Sequence, residues 1–175
     1  MLQSSWNQSL NLLLSRLTAE LSGLPRIAIV GVGNSFRCDD AAGMLVAHAL
    51  QESALGMDNL LILAAGHAPE NRTAELCKFA PDLVLFVDAA DMGEQPGAIQ
   101  LIPEEFIDGM SASTHSLPLS ILSHYLALEL NCHVILLGIQ PGSNEIGETV
   151  HADVLQAVDE VVQSLQETFG AQIPI

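Results

Sequence analysis

Leu10, Leu13, Leu14, Leu17 and Leu21 recur at the three- and four-residue spacing of a helix, and Gly23 and Pro25 end the pattern. This predicts an amphipathic helix ahead of the first strand, packed on the sheet or on another subunit. Ile27–Val30 is a short run with β-branched residues, followed by glycine. Such a run reads as a strand buried on both faces. Further apolar runs follow at Leu60–Ala64, at Leu83–Val87, which is the most apolar, and at Val134–Ile139. Ala98–Ile102 alternates weakly and reads as an edge strand.

Between these runs the period becomes helical. Ala42, Leu45, Val46, Ala49 and Leu50 mark a helix over 41–55. A turn through Gly66, His67, Ala68, Pro69 and Glu70 leads into another, with Pro69 suited to a first helical turn. Leu119, Leu122, Leu126 and Leu130 follow Pro118, with Thr114 or Ser116 available as a cap. A last helix carries Val154, Val158, Val161, Val162, Leu165 and Phe169. From Pro103 to Thr114 the pattern dissolves, which predicts a mobile surface loop. Strands alternating with helices predict an α/β fold of three layers, α/β/α: one domain, residues 1–175, with a mostly parallel sheet of about five strands between helices.

Composition narrows the function. The 175 residues are 49% hydrophobic and only 15% charged, as in a globular chain, and 4% aromatic, so Leu, Ile, Val and Ala must build the core. Five basic residues against 21 acidic ones give a net charge of -16. That balance argues against nucleic acid and against anionic membrane surfaces. It leaves solubility, or a basic partner, as its meaning. Cys38, Cys77 and Cys132 are widely spaced and form no CxxC, which fits a reducing cytoplasm without a disulfide framework. No apolar run approaches membrane-spanning length, and the start of the chain does not read as a signal peptide.

The candidate chemistry gathers where strands end. Gly31 and Gly33 let the backbone turn tightly, and Asn34 and Ser35 are turn formers. Asp39 and Asp40 follow at the start of a helix; one acid suffices as a cap, which leaves the other open to function. Asp88 ends an apolar strand, where a carboxylate either faces a cleft or accepts from the amides of the next loop. His115 sits at a loop-to-helix junction, as a structural residue or as a ligand. Two carboxylates and an imidazole suit a transition metal with open positions, or the activation of a water. They come from three separate segments, so spacing does not decide between the two. Gly33 and Asn34 in the turn, and His67 at the same sheet end, are candidate substrate contacts.

Other readings have less behind them. GVGNSF has Phe36 where a dinucleotide fingerprint has its third glycine, and acids crowd the pyrophosphate position. Cys38 lacks a neighbouring base. His48, His124 and His133 read as structural, and His151 as a surface residue.

Five ordered blocks carry a resemblance: GVGNSFRCDDAAG, GHAPEN (Gly66–Asn71), VDAADMG (Val87–Gly93), THSLPLS (Thr114–Ser120) and GIQP (Gly138–Pro141). Over about Arg26 to Phe169 the chain resembles the [NiFe]-hydrogenase maturation endopeptidases, most closely the branch that processes the large subunit of the formate-hydrogenlyase-type hydrogenase. The resemblance implies a mixed, twisted sheet and a protease domain over 26–170. Residues 1–24 become a helical extension that most members lack. It implies a cytoplasmic hydrolase, classed as aspartic-type, that removes the C-terminal extension of the large-subunit precursor once nickel is inserted.

The partner is then that precursor, and the protease is a monomer or homodimer. Asp40, Asp88 and His115 match the metal-binding positions. Asp40 and Asp88 are also the candidate catalytic groups, with a carboxylate as general base or the metal polarising the scissile carbonyl. The nickel is supplied by the substrate, with no permanently bound cofactor. The rival readings are a non-catalytic nickel-binding maturation chaperone using the same three ligands, and a nucleotide-binding module.

Overall fold

The computed structural model describes residues 5–21, 23–53, 56–110, 117–143 and 149–170. In chain order it contains α1 (Ser5–Leu21), β1 (Ile27–Val32), α2 (Ala42–Glu52), β2 (Leu60–Gly66), α3 (Thr73–Phe79), β3 (Leu83–Ala89), β4 (Ile99–Pro103), α4 (Leu119–Leu130), β5 (His133–Ile139) and α5 (Ala152–Gly170). The strands form one sheet in the order β2-β1-β3-β5-β4. Four run parallel, and β4 lies antiparallel along β5 at one edge. Every residue of β1 and β3 is buried, as befits central strands covered on both sides.

Side chains alternate across the sheet, and each face has its own core. Ile27, Ile29, Leu83, Leu85 and Val87 pack with α1, α2 and α5. Ala28, Val30, Val84 and Phe86 pack with Leu76 of α3 and with Leu119, Leu122 and Leu126 of α4. The result is the three-layer arrangement expected from the sequence, with a mixed, mostly parallel sheet between helices.

The leucine stripe of α1 is used within the chain. Trp6, Leu10, Leu14 and Leu17 are buried in the α2/α5 face of the sheet, and the Trp6 indole donates to Glu160 Oε1 at 3.1 Å. At about 1.5–3 kcal/mol for each such side chain buried, α1 contributes substantially to that core.

The expected surface loop from Pro103 is more ordered than its sequence suggests. It opens with a 3₁₀ turn at Glu104–Phe106. Ile107 is buried in the α4 face of the core, and Met110 O accepts from Asp91 N at 2.8 Å. One buried isoleucine and one backbone bond tie down a stretch with no periodicity to announce it. Residues 111–116, with Thr114, His115 and Ser116, lie outside the described residues. The residue preceding α4 is Pro118, with no side-chain cap. Among the described residues, no helix is long and apolar enough to cross a membrane.

Candidate active site

Strand order places the candidate carboxylates. The chain leaves β1 to form β2 on one side and returns to form β3 on the other, so the sheet switches direction between β1 and β3. Ligands of open α/β sheets bind in the crevice at the carboxyl ends of strands flanking such a switch. Asp88 is the penultimate residue of β3, and Asp40 lies in a 3₁₀ turn, Cys38–Ala41, between β1 and α2. Both are buried, with Asp88 fully enclosed.

The turn after β1 holds them together. Gly33 has φ +132, a conformation that favours glycine. A Cβ there would collide with the Asp40 backbone, 3.1 Å from its carbonyl carbon, and would lie 3.8 Å from Asp88 Oδ1. Asn34 N–H points at Asp40, 3.1 Å from both its backbone O and its Oδ2. Arg37 N–H returns to Asn34 O at 3.0 Å, and Asp40 N–H to Arg37 O at 2.8 Å. Gly33 and Asn34 therefore pack directly on the acids. Gly33 N–H also donates to Gly66 O at 3.1 Å, which brings the end of β2 to the same edge. His67 follows there and is exposed.

Gly33, Asn34, Asp40 and Asp88 are thus assembled at one end of the sheet, with His67 at its margin. His115 lies outside the described residues. Among the described residues no cluster of three or more His, Cys, Asp or Glu side chains is poised to hold a metal. The described part of the site supplies two buried carboxylates, groups that in general can ligate a metal ion or take a proton from water. A cavity of about 490 Å³ lies elsewhere, lined by Ser9, Leu13, Leu101 and His133, and contains neither acid. His133 begins β5, so that cavity sits toward the amino end of the parallel strands.

Asp39 does something the sequence did not suggest. It caps neither the 3₁₀ turn nor α2, since neither start has a side-chain cap. Its carboxylate is buried and accepts three amides of the β5–α5 connection: Gly142 N at 2.7 Å, Ser143 N at 2.9 Å and His151 N at 2.7 Å. Its partners are more than a hundred positions away, beyond any local pattern. Asp39→Ala strands all three donors and is expected to lower stability by about 2 kcal/mol, measured as a reduced urea midpoint. An unchanged midpoint would show that water replaces the carboxylate.

Gln140 likewise has a role that no local pattern announces. Its Oε1 accepts from Met92 N at 2.7 Å and Glu94 N at 3.2 Å, and its amide donates to Asp91 Oδ1 at 3.3 Å. It ties the loop after Asp88 to the end of β5. In the sequence it shows only as a polar residue directly after an apolar strand, inside the GIQP block.

Cys38 has a structural place. It is buried, adopts φ +42, and its Sγ donates to Thr149 O at 3.0 Å. Cys132 is buried too; desolvation, with a smaller contribution from the Asp82 charge, pushes its thiol up from 9.0 to about 11. Cys77 is exposed. Because the thiolate is the reactive form, a disulfide reagent at pH 8 is expected to modify one thiol per folded chain rapidly, and all three only after unfolding. Two or three fast thiols would contradict this assignment.

Comparisons with known proteins identify the family of the fold that carries these residues. The family model described as hydrogenase maturation protease, HycI, matches residues 44–168, a span that begins just after Asp40 and takes in Asp88. The hydrogenase 3 maturation protease of Escherichia coli is 35% identical over 136 residues, covering 77% of this chain and 85% of that one. The crystal structure of the [NiFe] hydrogenase maturation protease HycI from Thermococcus kodakarensis superposes with a TM-score of 0.76 at 34% identity, over 89% of this chain and 99% of that one. The solution structure of the endopeptidase HycI from Escherichia coli gives 0.70 at 34% identity, over 81% and 90%. A match over most of the chain, with relatives above 30% identity along most of their own length, places this protein in the hydrogenase maturation protease family.

Proposed function

We propose that this protein is a cytoplasmic endopeptidase that removes the C-terminal extension of a [NiFe]-hydrogenase large-subunit precursor after nickel insertion. The observation that carries the reading is the pair of buried acids, Asp40 and Asp88, held around the Gly33–Asn34 turn at the switch point of the sheet. Three thiols with no disulfide among them support the cytoplasm as its place of work.

In this reading Asp40 and Asp88, with His115 as a third donor, complete the coordination of the nickel that the precursor carries. Carboxylate and imidazole suit positions left open by the substrate's own thiolates. Only a loaded precursor gains that binding energy, so loading is sensed before cutting. An aspartic-type reaction follows: one carboxylate takes a proton from a water as its oxygen bonds to the scissile carbonyl carbon, and the proton passes to the departing amine as the C–N bond breaks. Gly33, Asn34 and His67 line the approach of the peptide.

Mass spectrometry of precursor incubated with the protein tests this. Nickel-loaded precursor should lose the mass of its C-terminal extension, while nickel-free precursor stays intact. Loaded precursor that is bound but left at full length would identify a non-catalytic nickel-binding chaperone instead.

A further inference from the structure

Phe36 is the most exposed large hydrophobic side chain among the described residues, at 86%. Single exposed apolar residues are ordinary on protein surfaces; the placement of this one is not. It sits in the turn between Gly33 and Asp40, which closes on itself without help from the phenyl ring. Phe36 N–H donates to Asn34 Oδ1 at 3.0 Å, Arg37 N–H to Asn34 O, and Asn34 N–H to Asp40. The fold therefore gains little from a phenylalanine at this position, and the ring stands in water on a turn whose backbone is already fixed.

We infer that Phe36 is an apolar anchor for the substrate, receiving an apolar patch of the precursor beside its nickel-bearing segment. The inference rests on the proposed function. The turn that presents Phe36 also holds Asp40 through Asn34, so a partner engaging the acids engages the turn that carries the ring. Aromatic side chains are enriched at the centres of protein interfaces, and the fixed backbone of this turn leaves only the ring's own torsions to be ordered on docking. Its burial is worth about ten- to a hundredfold in affinity. Because the ring is exposed and the bonds that close the turn are made by backbone amides and Asn34, its contribution should fall on KM and leave kcat in place.

The test uses the full chain, nickel-loaded precursor and two variants. Phe36→Ser should raise KM about tenfold or more with kcat within about twofold of wild type, and with the melting temperature unchanged. Phe36→Leu should recover most of the loss. An unchanged KM in Phe36→Ser, beside a wild type that cleaves normally, overturns this inference and leaves the proposed function standing. Equal losses in Ser and Leu variants overturn it too, since apolar character would not be what matters. A wild type that neither binds nor cleaves the loaded precursor removes the proposed function and this inference together.

Discussion

Asp40→Asn and Asp88→Asn proteins are expected to fold and yet to leave nickel-loaded precursor uncut, with a loss of at least about a hundredfold in processing rate. Asparagine keeps the shape of each side chain and one carbonyl oxygen, so the bond that Asp40 Oδ2 accepts from Asn34 N–H has a substitute acceptor. What disappears is the negative charge, which a metal-binding carboxylate and a general base both require; removing a positioned base typically costs about 10²–10⁴-fold. The readout is precursor mass against time, with circular dichroism and thermal unfolding as checks on folding. Cleavage within tenfold of wild type by either variant would remove that acid from the site.

Asp39→Asn is the instructive control. It sits next in sequence to Asp40 and is equally buried, but its two oxygens serve three backbone amides of the β5–α5 connection. An asparagine turns an NH₂ group toward at least one of those donors, so this variant should lose more thermal stability than Asp40→Asn. If the two variants lose processing equally and neither loses stability, the division of labour between the neighbouring acids is wrong.

That division also shows where the sequence stops being readable. β1 and β3 are legible because strands buried on both faces are continuous apolar runs, and Asp88 stands out against such a run. The α1 stripe is legible as amphipathic; that it covers this chain's own sheet depends on the partner residues of α5, far along the chain. β4 is legible as an edge strand, but alternation says nothing of direction, and its antiparallel course comes from its pairing with β5. Asp39 and Gln140 hide because their partners are amides, and amides carry no residue identity. Asp40 and Asp88 converge only once β1 and β3 are neighbours, a fact of strand order that no local window contains.

Gly43→Ala is expected to destabilise the protein by about 3 kcal/mol or more, although alanine is the better helix former by about 1 kcal/mol. Gly43 is the second residue of α2 and lies against the sheet. A Cβ there would run into the backbone carbonyl oxygens of both Val32 and Val87, and would stand 2.8 Å from the Val87 carbonyl carbon. The contact is matched from the other side: a Cβ on Gly31 would meet the Gly43 carbonyl and stand 2.5 Å from the Ala47 Cβ. These obstacles are main-chain atoms of β1, β3 and α2 and one alanine Cβ fixed to the main chain, so no side-chain rotation relieves them. Either α2 lifts from the sheet, opening the core around Val46 and Leu50, or the strands part. Both routes also move the turn that ends in Asp40, three residues before Gly43, relative to Asp88. Gly23→Ala provides the contrast, since nothing lies within 4 Å of a Cβ at that position. Urea unfolding of the two variants should show a large fall in midpoint for Gly43→Ala and none beyond about 0.5 kcal/mol for Gly23→Ala. A Gly43→Ala protein as stable and as active as wild type would mean that α2 does not seat on β1 and β3 this closely, and the positioning assigned here to Asp40 would fall with it.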